Sequence, residues 1–254
     1  MDITSETIIN RELRSAQRKV GATFTYPEAI AAGIPRADLV RFERAGYLVR
    51  LGRGVYSFAE RSVPQSDEPL VGATIHLGNE PHFVSWWAAL AYHGLTEQMP
   101  FVVGIAVKKA HRDREVGGLR LHHVVLDERK WYGFELNARG ISIATPEKAI
   151  LDSLDKPDLA GGLHEVVKAL GVGQYNSKAL IDLAQRWPTE ATVRRLGYLA
   201  EILDIAGSSS LKSRVSRRGP LTPLAVSESV GQPHNDWWIA DNIGDQTIQR
   251  WARR

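Results

Sequence analysis

The sequence predicts an α+β protein in two parts: a small helical unit ending in a hairpin, then a larger mixed α/β domain. Three observations carry that expectation. Amphipathic helical segments meet at a glycine turn and run into a glycine-rich hairpin within the first 58 residues. Strand-like apolar runs follow at 101–107, 119–126 and 134–143. Beyond them, capped segments with a helical apolar period continue to about residue 206. The polar, proline-bearing stretch at residues 59–69 reads as a linker, so domains are expected at residues 1–62 and 70–254.

Residues 4–19 are expected as a first helix, with Thr4 or Ser5 as N-cap and Ile8, Ile9 and Leu13 facing inward. A second spans residues 23–33, capped by Thr25, with Pro27 in its first turn and Gly33 at its end. Three residues later a third begins after Pro35 and stops before Gly46. Placing residues 36–45 at 100° steps puts Leu39, Phe42 and Ala45 on a core-facing stripe. The opposite face carries Arg36, Ala37, Val40, Arg41 and Arg44. Residues 47–50 and 55–58 then read as two strands around Leu51, Gly52, Arg53 and Gly54, the glycines supplying the positive φ of a tight hairpin.

Two helices at a short glycine turn, then a hairpin with a cationic tip, is the layout of a winged helix-turn-helix. Arginines on such a face reach phosphates and the O6/N7 edge of guanine, and small side chains between them permit close approach. The candidate DNA contacts are therefore Arg36, Ala37, Val40, Arg41 and Arg44 on the helix, and Arg50 and Arg53 on the wing. Thr25 and Tyr26 are candidates for backbone contact. The alternative is a surface helix and hairpin with ordinary solvated arginines. Charge distribution favours the first reading: the net charge is +3, and residues 1–58 hold nine Lys/Arg against six Asp/Glu, while the remainder is balanced at 23 against 23.

In the second part, Ser85 is expected to cap a short helix over 86–93 closed by Gly94. Its Trp86, Trp87, Leu90 and Tyr92 read as core rather than as a cofactor platform. Gly117 and Gly118 turn the chain between the first two strands. Thr145, Pro146 and Glu147 mark a helix start over 145–154. Further helices are expected over 159–170, 177–187 and 190–206, the last amphipathic through Val193, Leu196, Leu199, Ile202 and Leu203. Regularity is lost after Gly207 until Trp237 and Trp238, and residues 250–254 read as a basic, frayed tail.

The chain has no cysteine, which excludes disulfides and thiolate zinc sites and fits a reducing cytoplasm. Its first residues lack the pattern of a secretory signal, and its apolar runs are too short to span a bilayer. Asp113, Glu128 and Lys130 form a spaced acid–acid–lysine pattern of the kind that holds Mg²⁺ in nucleases, but Glu128 sits in a turn, a poor scaffold for that site. Ser208, Ser209 and Ser210 lack the Asp-x-Asp that a nucleotidyltransferase requires. His122 and His123 are adjacent on a strand and point to opposite faces, while His76 and His82 flank a turn at Gly78 and Asn79. Arg112 and Arg114 read as solvated charges, with docking of a toxin as the alternative, and Arg194 and Arg195 as paired with nearby acids. No catalytic residue, metal or cofactor is expected.

Four ordered blocks carry a resemblance: Gly-Val-Tyr at 54–56, Ala-Leu-Ala-Tyr-His-Gly-Leu-Thr at 89–96, Ala-Thr-Pro-Glu-Lys-Ala-Ile-Leu-Asp at 144–152 and Arg-Arg-Leu-Gly-Tyr-Leu-Ala-Glu at 194–201. In this order they resemble the AbiEi family of antitoxins of type IV toxin–antitoxin systems, from about residue 20 to about residue 242. The resemblance implies a winged helix that represses its own operon at double-stranded operator DNA, typically inverted repeats. It also implies a C-terminal domain that counters a nucleotidyltransferase-like toxin encoded nearby. Residues 220–238 keep only a loose echo of the family, which leaves an orphan regulator without a toxin as the alternative.

Overall fold

The structure, a computed structural model, describes residues 3–59, 70, 77, 80–116, 118–137, 141–225 and 230–253. Helix α1 (Ile3–Val20) opens the chain and buries Leu13 and Ala16. Thr4 and Ser5 are not its caps, because both already have helical backbone and a cap lies outside the helix. The inward faces of Ile8 and Ile9 lie outside the described side chains.

The second expected helix is shorter than its pattern. Residues Thr23–Thr25 form strand β1, and only Tyr26–Ala31 form α2. Phe24 explains the difference: it is fully buried and its ring sits 5.8 Å from Tyr56 and 5.3 Å from Phe58, so pairing across the sheet takes these residues from the helix. Thr25 still caps α2, in a reciprocal box with Glu28. Gly33, at φ +75°, turns the chain toward α3 (Arg36–Arg44).

Helix α3 buries Leu39 and Phe42. Ala45, expected on the same stripe, is exposed: it is the C-cap, one residue past the helix, so the helical periodicity no longer governs it. Strands β2 (Leu48–Gly52) and β3 (Val55–Phe58) pair antiparallel with Gly52 opposite Val55. That register leaves Arg53 and Gly54 as the turn, and Gly54 alone supplies a positive φ, +77°, since Gly52 belongs to the strand. The sheet, in the order β1-β3-β2, and helices α1, α2 and α3 share a core of Leu13, Phe24, Leu39, Phe42, Leu48 and Phe58, which fits the expected helix-turn-helix with a following hairpin.

The larger part is built on a six-stranded mixed sheet. Its strands are β4 (His82–Ser85), β5 (Val102–Val107), β6 (Arg114–Val116), β7 (Leu119–Val125), β8 (Phe134–Leu136) and β9 (Ser142–Ala144), in the order β6-β7-β5-β4-β9-β8. Three features differ from expectation. Strand β4, which begins at His82, was not among the expected strands. Gly118, at φ +81°, closes a β6–β7 hairpin, while β5 and β7 run parallel and need the longer connection. The expected strand over 134–143 is a pair, β8 and β9, because Asn137 bonds the Ile141 N–H through its side chain at 3.0 Å and its N–H bonds the Ile141 carbonyl at 2.9 Å, which turns the chain back.

Helix α4 (Trp86–Tyr92) follows Ser85, whose hydroxyl bonds Asp152 instead of capping the helix. Trp86 and Leu90 are core residues, Trp87 is half-buried and Tyr92 is exposed. Helix α5 (Pro146–Asp155) is the hub, touching α4, α6 (Leu163–Val172), α7 (Ser177–Gln185) and α8 (Glu190–Ile202). The expected helix over 159–170 is interrupted: Pro157–Ala160 is a 3-10 turn, and Gly161 and Gly162 adopt positive φ before α6 starts. Asn176 caps α7, which ends at Gln185 rather than at 187, and α8 ends at Ile202, with Asp204 at φ +54°.

After Gly207 the chain is more ordered than its composition suggests. A 3-10 helix covers Ser208–Arg214, and β10 (Thr222–Pro223), β11 (Gln232–His234) and β12 (Ile239–Asp241) make a small sheet. The terminal residues are not a frayed tail. Helix α9 (Asp245–Ala252) lies along α6, with Ile248 fully buried and Trp251 against the core. The expected linker beyond Ala59 and the turn at Gly78 and Asn79 lie outside the described residues.

Candidate nucleic-acid interface

Because Leu39 and Phe42 point α3 into the small core, its other face must be open. Arg36, Ala37, Val40, Arg41 and Arg44 are all exposed there, at spacings that align them along the helix. Their positions are not equivalent. Arg41 bonds Glu12 of α1 at 2.7 Å and Asp38 at 3.0 Å, so its guanidinium is partly neutralised. Among the described residues Arg36 and Arg44 form no ion pair, and neither does Arg53 at the exposed turn of the wing. Arg50 is exposed on β2, the outer strand of the hairpin.

Thr25 and Tyr26 are less open to a ligand. The Thr25 hydroxyl donates to Glu28 at 2.8 Å and accepts from its backbone N–H at 3.4 Å. Tyr26 is half-buried and packs on the small core. The wing itself is braced: Leu51 packs against the core of the larger part, and β2 lies beside β6. Arg112 and Arg114 are exposed, as expected of solvated charges, and Arg114 begins β6 next to the wing.

The acid–acid–lysine pattern is not brought together. Asp113 meets Arg120 and His122, each at 3.1 Å. Glu128, on a 3-10 turn, meets Lys108 at 2.6 Å, and Lys130 turns inward to Asp155 at 2.6 Å. No group of three or more His, Asp or Glu side chains with metal-binding geometry occurs among the described residues. His123 is buried while His122 is half-exposed, in line with their opposite faces. Arg194 pairs with Glu190 at 2.8 Å, but among the described residues Arg195 has no acidic partner: it donates to the carbonyls of Pro223 and Leu154.

A buried charge cluster escaped the sequence reading. Lys148 and Asp152, one helical turn apart on α5, pair at 2.5 Å with almost no exposure, and Ser85 donates to Asp152 at 2.6 Å. The Lys148 ammonium stands 4.8 Å from the Trp187 ring centroid and 5.2 Å from that of Phe83. Beside it, Asp155 accepts from Lys130 and, at 2.7 Å, from Thr192. Its one visible signal was a Lys and an Asp four apart, with Ala149, Ile150 and Leu151 between them, on a capped helix start.

The chain has an α+β fold, and its N-terminal residues fit a helix-turn-helix-type unit with an exposed basic helix. Two family models match it: "Transcriptional regulator, AbiEi antitoxin" over residues 10–59 and "AbiEi antitoxin C-terminal domain" over residues 84–202. They cover both parts, and the chain belongs to the AbiEi family of antitoxins and transcriptional regulators. No curated protein matches it. Among solved structures it is similar to the crystal structure of the RV2827C protein from Mycobacterium tuberculosis, at 16% identity and a TM-score of 0.66, over 100% of this chain and 96% of that one. That likeness is one of fold. Among the described residues no helix is long and apolar enough to cross a membrane.

Proposed function

We propose that this protein is a cytoplasmic antitoxin that binds double-stranded operator DNA through α3 and the wing. In this reading it represses its own operon and counters a nucleotidyltransferase-like toxin encoded nearby, with no cofactor, metal or catalysis of its own. The observation that carries the DNA reading is the exposed face of Arg36, Ala37, Val40, Arg41 and Arg44, at the segment that holds the chain's entire positive surplus. Family membership supports the toxin partner. Arg36 and Arg44 are the first base or phosphate readers, whereas Arg41 has to exchange Glu12 and Asp38 for DNA.

The experiment is a salt-titrated anisotropy assay on the operon's own upstream inverted repeat. Arg44→Ala is expected to weaken binding by ~1–3 kcal/mol and to relax discrimination at one base pair. Arg53→Ala is expected to weaken all sequences alike and to reduce the salt slope by about one unit. Unchanged affinity in both variants would remove this face from the proposal. Purified protein with Mg²⁺ or Mn²⁺ is expected to leave plasmid DNA and RNA intact; cleavage abolished by Glu128→Ala would instead favour a nuclease. Growth rescue on induction of the neighbouring toxin separates the antitoxin from an orphan regulator.

A further inference from the structure

A cavity of about 360 Å³ opens between β7 and the segment that closes α5, and none of the residues that line it belongs to α3 or the hairpin. Its walls include His122 and Val124 from β7, Leu159, and Arg195 from α8. That volume is at the small end of the range for ligand pockets. Arg195 is the unusual member. It is half-buried, and burial pushes it down from its ordinary value, against the opposing pull of Asp155. Its Nε donates to the Pro223 carbonyl at 3.1 Å and its Nη1 to the Leu154 carbonyl at 3.2 Å. Those bonds fix the plane of the guanidinium without neutralising it, and Nη2 has no protein partner among the described residues.

Other charges around the cavity do not cancel Arg195. Asp155 is engaged by Lys130 at 2.6 Å and by Thr192 at 2.7 Å. Lys156 and Asp158 are both exposed at the rim and offset one another. On the β7 wall, Asp113 holds His122 through Nδ1, so that Nε2 is the ring nitrogen without a protein partner among the described residues. A partly desolvated, pre-oriented guanidinium with an imidazole across a small, partly apolar cavity is suited to a compact dianion on a small carbon body.

We infer that this cavity is a binding site for a small phosphomonoester, its phosphate held between Arg195 and His122 and its carbon portion against Val124 and Leu159. The site is separate from the basic face of α3, so such a ligand is a candidate effector of the protein and not a mimic of the DNA backbone. Arg195 lies in the Arg-Arg-Leu-Gly-Tyr-Leu-Ala-Glu block, which gives the second arginine of that block a role that no ion pair accounts for.

The test is isothermal titration of the full chain with glycerol 3-phosphate, inorganic phosphate and, as an uncharged control, glycerol. Saturable 1:1 binding of glycerol 3-phosphate is expected, weaker binding of phosphate and none of glycerol. Arg195→Gln removes charge-assisted hydrogen bonds and is expected to weaken binding about 10- to 100-fold. Arg195 also ties two backbone carbonyls, so His122→Asn, at a half-exposed wall position, provides a second and structurally milder variant; it is expected to weaken binding as well. The Arg36→Ala/Arg44→Ala double variant is expected to bind as the parent does. No saturable binding to the parent protein would overturn the inference. So would undiminished binding by folded His122→Asn, or loss of binding in the double variant, which would place the phosphate on α3.

Discussion

Lys148 is fully buried, and its amine is paired with Asp152, which Ser85 also bonds, between the faces of Phe83 and Trp187. Burial pushes the lysine down and the aspartate up, while each partner opposes the shift in the other. A pair of this kind adds little net stability but strongly penalises loss of one member, so it fixes how α5 sits against β4. The rest of the Thr-Pro-Glu-Lys block is committed in the same way: Thr145 caps α5, and Glu147 accepts the Asn176 N–H at 2.7 Å. That signature therefore describes architecture, and these side chains are not free to face a toxin. Asp155 yields a measurable consequence. Burial raises it, but the hydrogen bonds from Lys130 and Thr192 outweigh burial and hold it below the usual carboxylate range. A depressed folded value contributes stability that is present above the unfolded value, about pH 4, and is lost as pH falls through the folded value. Asp155→Asn is expected to cost about 3–5 kcal/mol near neutrality, by leaving Lys130 without its carboxylate, and to flatten the acid limb of urea midpoint against pH. An acid limb as steep as the parent's would remove Asp155 from this account.

At the scale of the element, what was legible was what is encoded locally. Helix α3 and the wing were readable because Pro35, Gly46 and Gly54 sit where backbone geometry requires them; α5 was readable from its threonine cap and first-turn proline. Strands β1, β4 and β6 were not, since three or four residues are too few to establish an alternation, and β1 and β4 are fixed by partners far along the chain. Of the candidate site, the exposed arginine face was legible from helical period alone. The capture of Arg41 by Glu12 was not, because it joins residues 29 apart. Helix α9 makes the same point with a test attached. Its basic composition suggests a loose end, yet it docks where Gly171 of α6 leaves no side chain: a Cβ there would fall on the Ala252 backbone. Gly171→Ala is expected to displace α9 and to cost about 1–3 kcal/mol, the usual penalty of overpacking, despite the higher helix propensity of alanine. Limited proteolysis should then cut after residue 244 in the variant before it does so in the parent. Equal melting temperatures and equal cleavage would show that the contact between α6 and α9 is dispensable.

At the scale of the molecule, the two cores are distinct in sequence but they touch. The smaller gathers residues from Leu13 to Phe58 and the larger those from Leu70 to Ile248; we propose a division near residues 62–70 into two foldable units. Leu51 crosses that division: it belongs to β2 of the wing and packs against the larger core, with β2 beside β6. The hairpin that carries Arg50 and Arg53 is therefore in contact with the part of the chain that matches the AbiEi antitoxin C-terminal domain. If that brace matters, the two parts should unfold together and the wing should depend on it. Leu51→Asp places a carboxylate where apolar packing is required, a change that is unfavourable at the contact but leaves Leu39, Phe42 and Phe58 in place. Calorimetry is expected to show one transition in the parent and two in the variant, and operator affinity is expected to fall by roughly 1 kcal/mol as the wing loses its fixed position. The larger part should keep its own transition temperature, because only one half-buried residue at its edge is lost. A variant that still melts in one step with parental operator affinity would mean that the contact at Leu51 couples nothing, and that the wing is positioned by α3 and β1 alone.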